Sequence, residues 1–368
     1  MVGQPGFFDL EDRLAGLSKT GDPLERLARV VDFEIFRSEL DRALGRSERA
    51  AKGGRPPSDA VLMFKILVLQ ALYGMSDEQA EYQIQDRLTF MRFLGLGLGD
   101  KVPDYSTIWR FREALVAAGA IEALFARFDA ELKDRGYFAL GGQVIDASIV
   151  EAPKQRLSDP EKARIKAGAT AHEIWPDRPA KAAHKDTTAR WTVKRGRRKP
   201  ATRRDKPEAT SERSAEALLI PMFGYKSHVN VDRRYRLIRR WTVSHAAAHD
   251  GARLPGLLDP DAFATPVWAD TAYRSKVNEA AIRSAGRRSM VHFKKPKGQP
   301  MPEAHRRANR ARSKVRSSVE HVFAEQKARM GLFIRTVGIA RATIKIGLAN
   351  LAYNMRRLIW LETASPAT

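Results

Sequence analysis

Two aspartates stand in apolar, strand-like segments of the sequence, where they could serve metal-dependent chemistry. Asp146 interrupts VIDASIV, and Asp270 follows the run PVWA. A carboxylate in such a segment is costly to bury unless it is paired or binds a metal ion. Polar groups that bind ligands also gather at strand ends in open α/β sheets. An aspartate at a strand edge that is solvated or caps a turn would give the same pattern, but two of them in one sheet favour the functional interpretation.

A third acidic residue, Glu320, lies in the basic segment ARSKVRSSVEHVFAEQKARMG. On a regular α-helix, Arg316, Glu320 and Lys327 would fall within about 40° of one another. A solvated ion pair between Arg316 and Glu320 is the simpler interpretation of this pattern and would contribute only a few tenths of a kcal/mol. A glutamate flanked by bases would also suit a metal-binding carboxylate next to phosphates.

Three converging carboxylates would suit the cleavage of a phosphodiester bond. That reaction needs an activated nucleophile and a stabilised leaving oxygen, and two Mg²⁺ ions about 3.5–4 Å apart supply both. The chain has no cysteine, which excludes disulfides and thiolate zinc sites. The remaining oxygen ligands favour Mg²⁺ or Mn²⁺. Nearby lysine and arginine side chains would hold the DNA backbone.

The composition predicts an anionic partner. The chain has 368 residues and a formal net charge of +22, with lysine and arginine spread over most of its length. Nucleic acid is therefore the first candidate and a membrane surface the second. No stretch of about 18 or more apolar residues is present, and the N-terminus lacks the pattern of a signal peptide. We therefore expect a cytoplasmic protein that does not span a membrane.

The elements that would position the acidic residues follow a mixed α/β pattern. Residues 1–135 read as a helical domain that binds DNA or forms dimers, and residues 136–361 as a catalytic domain with a basic, partly mobile insertion at about 154–217 and a tail at 362–368. Strands are predicted around VIDASIV, in a hairpin formed by GYKSHVNVD and RYRLIRRWTVSH, and in PVWAD and RSMVHFKKP. The order predicts a mixed sheet with flanking helices, preceded by an all-α domain.

The joint order of these motifs resembles the DDE-class transposases of bacterial insertion sequences, specifically the insertion-sequence-five (IS-five) group. The resemblance runs from about Phe33 to about Leu361 and includes GRPPSDAVLMFKILVLQALYG, VPDYSTIWRFREAL, VIDASIV, FGYKSHVNVD and VWADTAYRS. Its last motif has the form Y-x2-R-x3-E-x6-K, which Arg316, Glu320 and Lys327 match. Ser313 stands at the tyrosine position, so the resemblance does not extend to a tyrosine contact with DNA.

The resemblance implies a ribonuclease-H-like fold, with Asp146, Asp270 and Glu320 as a catalytic triad that binds two Mg²⁺ or Mn²⁺ ions. Arg316 and Lys327 would contact DNA phosphates near the cut. Water would attack at the transposon ends, and the released 3′-OH would then attack target DNA. The partners would be the terminal inverted repeats and the target duplex, and a homodimer on DNA is expected because two ends must be brought together. The protein would lie with the bacterial nucleoid.

Further basic residues are candidates for DNA contact. Lys294 and Lys295 are expected to face DNA, and the helix STIWRFREAL could present Arg110 and Arg112 to phosphates. Its aromatic residues are interpreted as packing residues. The basic run Lys194, Arg195, Arg197, Arg198 and Lys199 could be a solvated loop, but nonspecific phosphate contact that weakens with salt is favoured.

His245 and His249, four residues apart and followed by Asp250, could bind zinc if they lay on a helix. The segment ends a predicted strand, so a local structural role or a role next to the substrate is favoured. His228 alternates with apolar residues and is interpreted as a core or sheet-face histidine.

Three other functions remain open from the sequence. A nonenzymatic DNA-binding repressor would explain the charge but not two strand-end aspartates. A stand-alone nuclease on the same fold would share the triad but lack strand transfer. An inactive copy of a mobile element is the third.

Overall fold

The computed structural model describes residue 6 and residues 8–46, 57–196, 218–262 and 265–364. Part of the predicted basic run, namely Arg197, Arg198 and Lys199, lies outside these residues.

The N-terminal part is helical, as predicted. Asp59 caps the apolar helix α4 by accepting a hydrogen bond from the Leu62 N–H, and Ser76 forms a capping box with Gln79 at the start of α5. These two caps begin consecutive helices because their side chains satisfy N–H groups that have no partner within the helix. The helices are α1 Asp9–Thr20, α2 Pro23–Val30, α3 Arg37–Leu44, α4 Ala60–Tyr73, α5 Asp77–Asp86, α6 Leu88–Leu94, α7 Tyr105–Ala117 and α8 Ile121–Asp134.

A mixed sheet follows, which confirms the predicted α/β class. Strand β1 pairs antiparallel with β3 and parallel with β5, β5 pairs parallel with β6, and β3 pairs antiparallel with both β2 and β4. The predicted hairpin is present as β3 and β4. The strands are β1 Gln143–Glu151, β2 Arg190–Gly196, β3 Leu218–Asp232, β4 Ile238–His245, β5 Pro266–Trp268 and β6 Arg288–Ser289.

Gly142 fixes how closely β1 approaches β5. Its φ is +108°, which favours glycine, and a Cβ added there would lie 2.3 Å from the Trp268 ring and 3.0 Å from the Pro266 carbonyl oxygen. A glycine at this position therefore lets Gln143, the first residue of β1, pair with Val267 of β5.

The first part of the predicted basic insertion contains regular structure, which the sequence pattern did not indicate. Residues 159–184 form three short helices that bury a small cluster of Ile165, Ile174, Trp175 and Ala182. Strand β2 then pairs with the first half of β3. The apolar residues were too widely spaced for the sequence pattern to reveal this cluster. The helices are α9 Asp159–Lys166, α10 Ala171–Ile174 and α11 Pro179–His184.

The remaining helices flank the sheet and close the fold. They are α12 Leu254–Leu257, α13 Lys276–Ser284, α14 Glu303–Arg316, α15 Ser318–Ala324 and α16 Ile339–Ala364, with 3₁₀ turns at Phe33–Phe36, Asp250–Arg253 and Thr271–Tyr273 and a π-helical segment at Glu325–Arg329. Helix α16 packs on α4 and α8 as well as on β4. One large core therefore runs from the N-terminal helices through the sheet to α16.

No single helix in the described part of the chain is long and apolar enough to cross a membrane. Helices α4 and α5 reach the length and composition of a span only together, and they are bent by 100° at their junction.

Candidate active site

Asp146 and Asp270 lie at matching positions of adjacent parallel strands. Gln143 pairs with Val267 and Val144 pairs with Trp268, so the aspartates are each two residues beyond a paired position. Side chains two residues apart share a face of a strand. The structure therefore brings these two carboxylates to one face, at the end of β5.

Asp270 also caps the 3₁₀ turn that follows β5. Its Oδ1 accepts a hydrogen bond of 2.8 Å from the Ala272 N–H. The turn-capping interpretation of this aspartate was thus correct in part, because the other carboxylate oxygen is not used by the cap. A cap of this kind fixes the direction of the carboxylate.

Asp146 is held between an arginine and its own backbone. Its Oδ2 lies 2.5 Å from Nη1 of Arg316, and its Oδ1 accepts a hydrogen bond from the Ala147 N–H at 2.8 Å. Burial raises the pKa of Asp146 to about 6, and the negative charge of Asp270 adds to this shift, although Arg316 opposes it. Such a carboxylate gains from a nearby cation because burial has removed much of its hydration.

Tyr273 lies close to the carboxylates of this site, a position that the sequence did not indicate. Its side chain is almost fully buried, and its hydroxyl has no hydrogen-bond partner among the described residues. Burial raises its pKa, with further contributions from the carboxylates of Asp146, Asp250 and Asp270. In the sequence, only its place three residues after Asp270 could have indicated that Tyr273 lies near the carboxylates.

Asp250 is a third carboxylate near this face. Its Oδ1 accepts a hydrogen bond of 2.7 Å from Lys226 Nζ. The Asn278 side chain joins the turn that begins at Asp250 to the turn after Asp270, because its Nδ2 donates to the carbonyl oxygens of Gly251 and Tyr273 at 2.8 Å each. The two turns are therefore fixed relative to each other.

Glu320 is not brought together with the two aspartates. It is exposed on α15, which packs on β1 through the buried Val319 and Val322. Its side chain forms no ion pair in the described part of the structure. No group of three or more His, Asp or Glu side chains there is close enough to hold a metal ion.

The predicted alignment of Arg316, Glu320 and Lys327 on one helix face was wrong. Helix α14 ends at Arg316, a turn at Ser317 separates it from α15, and the segment containing Lys327 is π-helical. Arg316 pairs with Asp146 and not with Glu320. The spacing of an unbroken α-helix does not apply across these three elements.

The donor set nevertheless fits a hard divalent cation. Asp146 and Asp270 offer only carboxylate oxygens, the ligands that Mg²⁺ and Mn²⁺ prefer. The buried Asp146 carboxylate, with its raised pKa, is the group that a cation would stabilise most.

The predicted phosphate-binding residues have different environments. Lys294, Lys295 and Lys327 are exposed, and so is Arg110, whose guanidinium contacts Ser106. Arg112 is instead committed to Asp77, which accepts two hydrogen bonds of 2.7 and 2.6 Å from its guanidinium. This bidentate pair joins α7 to α5, so the prediction that Arg112 faces phosphates is not kept.

Two aromatic residues of α7, Trp109 and Phe111, also differ in their exposure. Phe111 is buried, as predicted, but Trp109 is 48% exposed. The interpretation of Trp109 as a packing residue therefore holds only in part, because about half of this residue is exposed.

Three histidines, His228, His245 and His249, lie in the sheet or directly after it. His228 is fully buried in the sheet, with Nε2 2.7 Å from the Ser244 hydroxyl. His245 ends β4, and His249 lies in the turn before Asp250. These two residues do not share a helix, and they belong to no metal-binding cluster of the described residues.

Comparison with known families gives two matches along the chain. Residues 12–114 match the family described as a transposase domain (DUF772), and residues 221–355 match the transposase DDE domain. The second match includes Asp270 and Glu320, whereas Asp146 lies between the two. No solved structure matches the chain.

The two matches support the class of insertion-sequence DDE transposases. The DDE domain supports DNA transposase activity, and therefore an enzyme whose substrate is DNA.

Proposed function

We propose that the chain cleaves the ends of an insertion sequence and joins the released 3′-OH to target DNA, and that it belongs to the IS-five group. The pair of carboxylates Asp146 and Asp270 on adjacent strands is the observation that carries this proposal. Residues 1–135 would bind DNA or form dimers, and residues 136–361 would carry out catalysis.

A ribonuclease-H-like sheet is part of the proposal. The order β4-β3-β1-β5-β6, with β1 antiparallel to β3 and parallel to β5, supports it. In such a sheet β1 is central and carries Asp146, and the neighbouring strand carries Asp270. The extra strand β2 and the helices α9–α11 then form an insertion between β1 and β3.

Asp146, Asp270 and Glu320 would hold the divalent ions, Mg²⁺ or Mn²⁺. Two such ions, when bound, activate the attacking oxygen and stabilise charge on the leaving oxygen. Glu320 would reach this site only if α15 changed its orientation relative to β1. Arg316 would then exchange Asp146 for a DNA phosphate, since the guanidinium binds either anion in the same geometry.

DNA would approach along α14. This helix has no buried residue, and its exposed Arg307, Arg310 and Lys314 lie at i, i+3 and i+7 on one face. The three form no ion pair with the described residues, so they are available to phosphates. Arg316 lies on the opposite side of the same helix, towards Asp146. Lys294, Lys295 and Lys327 would add further backbone contacts.

Arg110 and Arg112 allow the DNA-binding role of α7 to be tested. We expect Arg110→Met to reduce the slope of log affinity against log salt by about one, because it removes one phosphate contact. Arg112→Met should leave that slope unchanged and instead lower the free energy of unfolding by about 2–3 kcal/mol, since it leaves Asp77 without its bidentate partner. Fluorescence anisotropy at several salt concentrations and urea denaturation measure the two effects. Equal slopes for the wild-type protein and both variants would show that Arg110 of α7 does not contact DNA phosphates.

The joining of DNA separates the proposed function from its alternatives. Terminal inverted-repeat duplexes, Mg²⁺ and a target plasmid are incubated with the wild-type protein or with Asp146→Ala. Joined products that are lost in the variant are the expected result. Cutting without joining would indicate a stand-alone nuclease, and binding without cutting by either protein would indicate a repressor or an inactive copy.

A homodimer on DNA is proposed because two transposon ends must meet for joining. Binding to the nucleoid in the cytoplasm, without a membrane partner, is the corresponding expectation for the cell.

A further inference from the structure

A cavity of about 160 Å³ lies where the N-terminal helices meet α16, and no residue of the Asp146–Asp270 site lines it. Most of its wall is apolar. Proteins with a closed apolar cavity of about 150 Å³ can take up one benzene ring, so the volume suits an aromatic ring. The apolar lining residues are Leu67, Ala71, Met75, Met330, Leu332, Leu348 and Ala349.

The cavity carries an excess of positive charge. Its one carboxylate, Asp77, is engaged by both nitrogens of the Arg112 guanidinium. Arg341 is likewise paired with Glu113. Lys345 and Arg335 also line the cavity, and neither forms an ion pair with any residue that the structure describes. Two cations therefore remain without a counter-ion.

A hydroxyl group on the same wall lacks a partner. The Thr336 Oγ1 is buried, and it forms no hydrogen bond within the described part of the chain. Buried polar groups are usually hydrogen-bonded, so an exception invites an explanation such as an absent ligand. Burial, together with the positive charges of Arg335 and Arg112, lowers the pKa of Lys345. An anion beside Lys345 would relieve this repulsion.

We propose that this cavity binds a small organic anion with an apolar body the size of an aromatic ring and a single carboxylate or phosphate group. The ring contacts the walls formed by α4 and α16. The anionic group accepts hydrogen bonds from Lys345, Arg335 and the Thr336 hydroxyl. The ligand thereby satisfies the two unpaired cations and the unpartnered hydroxyl at once.

The position of the cavity gives such a ligand a structural effect. Gly74, at the end of α4, lies against the backbone of Met330, where an added Cβ would be 3.1 Å from the carbonyl oxygen. Met330 directly follows the π-helical segment that contains Lys327. A bound ligand would therefore join the N-terminal helices to the segment that follows Glu320.

Benzoate and benzamide test the proposal because they share a shape and differ in charge. Binding to the full-length protein is followed by saturation-transfer NMR and by the shift in melting temperature. We expect benzoate and phenyl phosphate to bind, and benzamide and inorganic phosphate to bind at least tenfold more weakly. Equal binding of benzoate and benzamide would show that charge is not recognised, and equal binding of the two phosphates would show that the ring is not. Either result overturns the proposal.

Variants locate the binding to this cavity. Lys345→Met and Thr336→Val should each weaken benzoate binding, the first by at least tenfold, whereas Lys101→Met, which removes an exposed lysine elsewhere, should not. Unchanged binding in both cavity variants would place benzoate elsewhere and overturn the proposal. If Lys345→Met fails to fold, Thr336→Val and Arg335→Met provide the same comparison.

Discussion

Replacing Glu320 by glutamine is expected to reduce strand cleavage by on the order of a thousand-fold, which corresponds to about 4 kcal/mol of transition-state stabilisation. The structure itself gives this residue no partner, since Glu320 is exposed and forms no ion pair with the described residues. A structural role would therefore predict no effect. The loss is expected because Glu320 would complete the set of carboxylates that holds the divalent ions.

The matched control is Glu303→Gln on the neighbouring helix α14. Glu303 is also exposed and lies among bases, where it pairs with Arg306. Rates of cleavage are measured under single-turnover conditions on transposon-end DNA, and DNA affinity is measured in parallel. We expect Glu303→Gln to retain its rate and Glu320→Gln to retain its affinity. Equal rates for the two variants would exclude Glu320 from catalysis.

Asp146→Asn is expected to make the metal-free protein more stable while removing its activity. The folded-state pKa of Asp146 is raised from 3.8 to about 6, so the ionised carboxylate disfavours the folded state. This penalty is absent below pH 3.8, grows as the pH rises towards 6, and is complete above that. Two pKa units correspond to about 3 kcal/mol at pH 7.5, falling to about 1 kcal/mol at pH 4.5.

The measurement is urea denaturation of both proteins in EDTA at the two pH values. The exposed Asp159 gives a control, because Asp159→Asn should show no comparable gain. Added Mg²⁺ should stabilise the wild-type protein more than Asp146→Asn, since it binds the ionised carboxylate. A gain in stability that does not change between pH 4.5 and 7.5 would contradict the assigned origin of the shift.

The sequence was informative where one residue type interrupts a regular pattern. Asp146 and Asp270 break apolar runs, and these runs predicted the strands that carry them. The pairing of β1 with β5, which places the two aspartates side by side, is seen only in the structure. The partner of Arg316 could not be found in this way. It depends on the packing of the end of α14 near strand β1, whose Asp146 lies 170 residues earlier in the sequence.

Exposure on the N-terminal helices was equally difficult to predict. Arg110 and Arg112 are two residues apart on α7, and their sequence context is the same. Only the packing of α5 against α7 decides that Arg112 meets Asp77 and that Arg110 faces solvent. Contacts between distant elements thus determined which basic residues are free for DNA.

The common core of α4 and α16 has a consequence for synthesis of the protein. Helix α4 is made early by the ribosome and is apolar on nearly every side, with nine of its residues buried. Helix α16 packs on part of this apolar surface, and it is translated only after most of the chain. The nascent polypeptide therefore exposes this apolar surface for most of its translation, and exposed apolar surface makes partly folded chains prone to aggregate. A fragment that stops before Ile339 would aggregate or be degraded and would not persist as a DNA-binding competitor of the intact enzyme.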